Sequence, residues 1–402
     1  MRRALRGGLV AALVAGVVTV TACGSDPGGG PPDPVVDLGA LDVGGYRTEP
    51  KDYAPKDHRS VARIFEAERL GAMVPVPSEL DARLRFNRGG DIHAFLEPDV
   101  THPSPMYTWL KKDGFAQDAA GFVAGFASSG RSESDERISF ALSVSVLLFE
   151  SEQQAAAAGT ALAARGWQAE ASKVVALSSA RHPRAVVSWQ PEAQVLTSWY
   201  ATGKFVIVAT ADSRENRTLK ISDQDLLSTL ADNGTAAVAE RVRSFEPTPP
   251  DQLDTVPLDP EGLLRISLPR PEGDEFRMLP GVYEPTAFVH LSEDADKARK
   301  RLEEFGVDRV SVNGSWLYRT RDAAAAEGML AEESAGKFRV AVSPPAGLSN
   351  AKCTKYRGPE ESTYPFYCYV RFGRYMAMSW GLQLPDVQQR ISAQYTLLAR
   401  NK

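Results

Sequence analysis

The alternation of apolar and polar positions divides the chain into a leader, a spacer and two runs of similar elements. Residues 7–20 carry no charge and follow Arg2, Arg3 and Arg6. Residues 24–34 (GSDPGGGPPDP) hold no large apolar side chain and predict a flexible tether. Residues 45–57 are polar and Pro-broken, an extended lead-in. In 58–70, the spacing of Val61, Ile64, Phe65 and Leu70 predicts an amphipathic helix. Ser78 is placed to cap a helical turn over 79–84, and a further helix is expected around 105–120, ended by Gly114.

From there the pattern runs twice. Residues 138–149 (ISFALSVSVLLF) alternate and are rich in branched side chains, as a strand requires. An Ala- and Gln-rich helix follows over 151–164, then strands over 185–190, 195–201 and 205–210, and a helix over 222–245. In the second half the order is helix 295–305 ended by Gly306, strand 315–320, Ala-rich helix 322–333 and strand 338–342. A hairpin then pairs 365–371 with 375–380, and a helix covers 385–398. Residues 310–312 add a short strand, turned by Asn313-Gly314. SWYATGKFVIVA (198–209) aligns with CYVRFGRYMAMS (368–379), and Phe149 aligns with Tyr318 ahead of the two Ala-rich helices. The offsets, 170 and 169, point to an internal duplication. The fold class expected is therefore α+β: two similar domains, each an antiparallel sheet packed with helices, drawn as helices on one face. The expected domains are 43–247 and 261–402, joined by a Pro-rich linker at 248–260, behind a leader at 1–22 and a tether at 23–42.

Composition narrows the class. The 402 residues carry 46 Lys and Arg against 51 Asp and Glu, a net charge of −5, with 43% hydrophobic residues. Such values belong to a globular body rather than a coiled coil, a multi-span protein or a disordered chain. The acidic balance argues against nucleic acid as a partner.

The leader has the three-part plan of a secretory signal, and Val20-Thr21-Ala22-Cys23 resembles a bacterial lipobox. In this reading Cys23 becomes the lipidated amino terminus, and several acyl chains hold the protein at a membrane. An uncleaved membrane helix is the alternative, but the run is shorter than the ~20 residues a span needs. Cys353 and Cys368 then remain, an even pair that reads as a disulfide in an exported protein, the alternative being two free thiols. Closing that loop of about 15 residues is worth roughly 3 kcal/mol.

The search for chemistry assigns no catalytic residue, no cofactor-binding residue and no metal ligand. His58, His93, His102, His182 and His290 are too scattered to present a pair on one helix face, and two Cys cannot close a zinc shell. No phosphate loop, nucleophile elbow or zinc-protease motif is present. The hairpins draw more interest. Tyr364, Phe366, Tyr367, Tyr369, Phe372 and Tyr375 crowd beside Lys352, Lys355, Arg357, Arg371 and Arg374, and Trp199, Tyr200 and Phe205 occupy the matching hairpin. The side chains that alternation sends outward would form an aromatic, cationic face. A cleft between the halves is the second candidate, because grooves between domains bind ligands.

Four stretches resemble a family of actinobacterial two-domain lipoproteins of uncharacterised function. They are the lipobox at Cys23, residues 45–81 (from GYRTEPKDYAP through ARIFEAERLGAMVPVPSELD), GVYEPTAFVH (281–290), and the Cys353…Phe366-Tyr367-Cys368 hairpin. The resemblance implies an exported protein tethered to the membrane of a high-GC Gram-positive envelope. It brings no catalytic set with it. In general plan the body also resembles the extracellular sensor domains of some actinobacterial kinases. The expectation is a non-catalytic binding or interaction module on the extracytoplasmic face, with the membrane as one partner and an envelope glycan, lipid or protein as ligand. An envelope hydrolase or transferase and a lipid carrier are the alternatives.

Overall fold

A computed structural model of the protein describes residues 32–87, 93–97, 110, 113–166, 172–271, 280–358 and 364–401. Cys23, His102 and residues 105–109 and 111–112 of the helix expected around 105–120 lie outside those residues. The N-terminal sheet is built from β1 (Phe86–Asn87), β2 (Ala94–Phe95), β3 (Phe122–Arg131), β4 (Phe140–Phe149), β5 (Val175–Leu177), β6 (Val186–Gln190), β7 (Val195–Thr202) and β8 (Phe205–Ser213). Its order is β1-β3-β4-β8-β7-β6-β5, with β2 paired on β3. The C-terminal sheet holds β9 (Gly281–Tyr283), β10 (Arg309–Val312), β11 (Trp316–Arg319), β12 (Arg339–Val342), β13 (Lys352–Tyr356), β14 (Phe366–Phe372) and β15 (Tyr375–Gly381). Its order is β9-β10-β11-β15-β14-β13-β12, all antiparallel. Strand for strand the two orders are the same. The turns that join β7 to β8 and β14 to β15 place Gly203 and Gly373 at φ of 51° and 52°. A two-residue hairpin turn demands that backbone at its first position, and glycine takes it without strain.

The long helices start where their caps direct. Asp57 accepts from the Ser60 amide ahead of α1 (His58–Leu70), and Ser151 from that of Gln154 ahead of α2 (Glu152–Ala164). Asp223 opens α3 (Gln224–Arg241), Asp294 opens α4 (Ala295–Glu304), and Asp322 opens α5 (Ala323–Ser334). Pro385 sits in the first turn of α6 (Leu384–Arg400), where its missing N–H costs nothing.

Helices cover both faces of each sheet, not one face as expected. In the N-terminal domain, α1 and α3 bury Leu142, Val144, Ile207 and Ala209, while α2 buries Leu147, Phe149, Val206 and Val208 on the other side. In the C-terminal domain, α4 and α5 cover Val310, Tyr318, Tyr369 and Met376, and α6 covers Leu317, Cys368, Val370 and Ala377. Adjacent residues of one strand thus enter opposite cores, which is why β8 is apolar without alternation.

Other differences have local causes. Ser78 caps nothing: Val76 precedes the short helix Pro77–Leu80, with Pro77 in its first turn and Ser78 inside it. Gly114 precedes a short helix, Phe115–Asp118. The stretch expected as a linker is packed down. Leu253 and Leu258 are buried in the N-terminal core, and the Thr248 hydroxyl donates to Glu66 at 2.6 Å. The end of the expected tether is also ordered, with Leu38–Ala40 a single turn of helix and Leu41 buried against the C-terminal domain.

Candidate functional site

The aromatic hairpin is mostly core. Cys353 and Cys368 face each other across β13 and β14 and form a disulfide. Tyr369 is fully buried against α5, and Arg371 is buried in ion pairs with Asp33 (2.7 Å) and Glu327 (3.2 Å). What remains outward is split. Lys355 lies 5.2 Å over Phe366 on one face, and Arg339 lies 4.0 Å over Tyr367 on the other. Arg339 comes from β12 and had no signal in its own neighbourhood. In the matching hairpin Trp199 and Phe205 are buried, while the Tyr200 ring lies 4.5 Å from that of His182, tilted by 43°. Among the described residues a single aromatic, cationic face does not form.

The place expected for a cleft between the halves is a closed joint. Glu68, on α1, is buried against β9 of the other domain, and the Tyr283 hydroxyl donates to its Oε1 at 2.7 Å. Its Oε2 has no hydrogen-bond partner and lies where a Cβ on residue 281 would be, so that position is glycine. Burial pushes the Glu68 carboxyl well above the usual carboxylate range, and the Tyr283 bond and Arg270 offset this only in part. Burial thus favours the neutral form of the side chain. Beside it His290 reaches back into the N-terminal domain. Its Nε2 faces the carbonyls of Gly71 (3.2 Å) and Val74 (3.1 Å), and its Nδ1 faces the Ser128 hydroxyl at 2.9 Å. Carbonyls only accept, so Nε2 carries the proton and Ser128 donates to Nδ1. Burial lowers the His290 pKa to about 3, helped by His93 and opposed by the two carbonyls. The His93 and His290 rings are 5.9 Å apart, although 197 positions separate them in the chain. Around this joint Glu79 ties Arg241 (2.6 Å) to Arg299 (2.7 Å) across the domains. With Glu68 and His290 buried from solvent, the joint holds the domains together and leaves these side chains no access to a substrate.

A concave site lies at the rim of the N-terminal sheet. A hollow of about 360 Å³ is lined by Arg63, Leu96, Glu97, Phe115, Ala119 and Phe122, with Ala116 and Gly121 at its edge. Arg63 is half-buried. Its Nε donates to Val123 O at 2.7 Å and its Nη2 to Phe122 O at 3.3 Å, which fixes the guanidinium plane. Burial lowers its pKa, yet it stays charged at any ordinary pH. The hollow sets the fixed Arg63 guanidinium and the Glu97 carboxyl beside apolar and aromatic walls, which suits a small amphiphile whose polar group engages the guanidinium. Sequence reasoning passed over this place, because Arg63 reads as the polar face of a helix and Phe115 and Phe122 as isolated aromatics. Among the described residues no group of three or more His, Cys, Asp or Glu is placed to hold a metal ion. No described helix is long and apolar enough to cross a membrane.

Two family models match the chain: the N-terminal domain of unknown function DUF7373 over residues 53–258, and its C-terminal counterpart over 263–401. The chain belongs to the DUF7373 family. The two-domain family of unknown function expected from the sequence is thus present, with both members of the pair. No curated protein matches the sequence. Among solved structures, the extracellular domain of PknH from Mycobacterium tuberculosis aligns with 44% of this chain and 97% of its own, at 15% identity and a TM-score of 0.30.

Proposed function

We propose that this DUF7373 protein is an exported lipoprotein, anchored through acylated Cys23 on the extracytoplasmic face of the cell membrane. Its body is a non-catalytic binding module for a small amphiphilic envelope ligand. The hollow beside Arg63 is the observation that carries the binding role: a fixed guanidinium, with Glu97 beside it, next to apolar and aromatic walls. The address is supported by the lipobox and by the Cys353–Cys368 bond, since disulfides persist outside the reducing cytosol. The test uses the anionic amphiphile anilinonaphthalene sulfonate as probe. Arg63→Ala is expected to weaken its binding about tenfold, the effect of losing one charge-assisted contact. Ala116→Trp, which fills the hollow from its exposed rim, is expected to abolish binding with the circular dichroism unchanged. Equal affinity in the parent protein and both variants would remove the hollow as the site.

A further inference from the structure

The first described residues are not loose. Asp33 accepts from Arg371 Nη1 at 2.7 Å and from the Gly373 amide at 2.8 and 3.0 Å. Arg371 Nη2 donates to Pro32 O at 3.2 Å, and the Tyr395 hydroxyl donates to Pro34 O at 3.4 Å. The Arg371 side chain is 5% exposed and is braced from behind by Glu327 of α5. A buried arginine is therefore committed to a carboxylate 338 positions away, at the β14–β15 turn. The first described residues are thus held at that turn.

Between Cys23 and Asp33 lie residues 24–32, nine in all. Ten Cα steps reach at most about 35 Å, and a Gly-rich chain of that length typically spans about 18 Å. A domain the size of residues 263–401 is about 35–40 Å across. The tether is thus shorter than the body it holds, and the body has no room to roll over. Arg374, in the turn itself, makes no ion pair among the described residues. It adds a cation to this end, which suits the acidic phosphates of a lipid surface.

We infer that the Asp33 clasp seats the protein with the β14–β15 turn toward the membrane, against anionic lipid headgroups. This rests on Cys23 being the acylated residue. The experiment uses the full-length acylated protein in phosphatidylglycerol–phosphatidylethanolamine vesicles with acceptor-labelled headgroups. Donor dyes are placed singly at Ser349→Cys and Leu382→Cys. Ser349 is exposed and adjoins Asn350, whose side chain donates to Arg371 O, so it marks the turn end. Leu382 is 65% exposed and follows β15 at its other end, about 20 Å along the strand. Energy transfer is expected to be stronger from 349 than from 382. A twelve-residue Gly/Ser insertion after Gly30 should erase the difference. Asp33→Ala should speed hydrogen exchange of the Gly373 amide at least tenfold and narrow the difference. Equal transfer from the two positions, with Cys23 shown acylated by mass spectrometry, overturns the seating alone, as does a difference that survives the insertion. An unmodified Cys23 overturns the anchor, and the seating with it.

Discussion

His290 makes the stability of the domain joint depend on acid in a way that one substitution isolates. The ring is neutral and buried, with a pKa lowered from 6.5 to about 3. Between those values the unfolded chain binds a proton that the folded protein refuses, so stability falls as the pH drops through that window. Each pH unit below 6.5 costs about 1.4 kcal/mol, and from pH 7 to pH 4 the loss comes to about 3 kcal/mol. His290→Gln keeps a donor for the Gly71 and Val74 carbonyls and an acceptor for Ser128, but cannot titrate. At pH 7 the variant should be less stable than the parent by about 1–3 kcal/mol, the cost of poorer hydrogen bonds at a buried site. At pH 4 that gap should close by about 3 kcal/mol, to parity or reversal. Urea denaturation of both proteins at the two pH values measures it, and titrations common to both cancel in the difference. A gap of the same size at pH 7 and pH 4 would refute the account of a desolvated neutral imidazole.

Glu68 works in the opposite direction. Its carboxyl is raised, so the contribution of the neutral form is full below the ordinary carboxylate range and fades as the pH rises through the folded value. Glu68→Gln, which mimics the protonated acid, should therefore gain stability over the parent as the pH increases, read from melting temperatures at pH 5 and pH 9. Reduction of Cys353–Cys368, or the double Ser variant, should cost roughly 3 kcal/mol in urea denaturation, given a loop of 15 residues. Ser151→Ala and Asp322→Ala remove matching caps ahead of α2 and α5, and each should cost about 1 kcal/mol by chemical denaturation.

Much of the fold was legible because local chemistry and tertiary environment agree. Ser151 and Asp322 stand before Ala-rich runs, and the helices begin where those caps place them. The hairpin glycines announced their turns. The doubling of the order was visible as two offsets, and the identical strand orders give it physical form. The second layer of helices was signalled too, but misread. The run FVIVA in β8 is apolar at every position, and only a strand covered on both faces tolerates that. Strand β3 was missed outright. Its sequence, FVAGFASSGR, is dominated by small residues, and a Cβ at Gly125 would collide with the Phe95 ring lying over it. Packing against β2 makes this strand, and no propensity announces it. Strand β13 was likewise hidden, inside what reads as the lead-in to a turn-rich loop. The site residues were harder still. Arg63, Glu68 and His290 each read as ordinary surface or filler, because what makes them unusual is supplied by partners 59 to 219 positions away.

The joint between the domains has a bearing on where such a protein can work. Ion pairs weaken when dissolved salt screens them, and the bridge from Glu79 to Arg241 and Arg299 at the rim is of that kind. The buried part is not: the Glu68 carboxyl that accepts from the Tyr283 phenol, and the uncharged His290 imidazole seated on two peptide oxygens, lie where dissolved ions do not reach. The two halves should stay locked in dilute rain water and in brine alike, which suits the location proposed for it, where its cell does not control the surroundings.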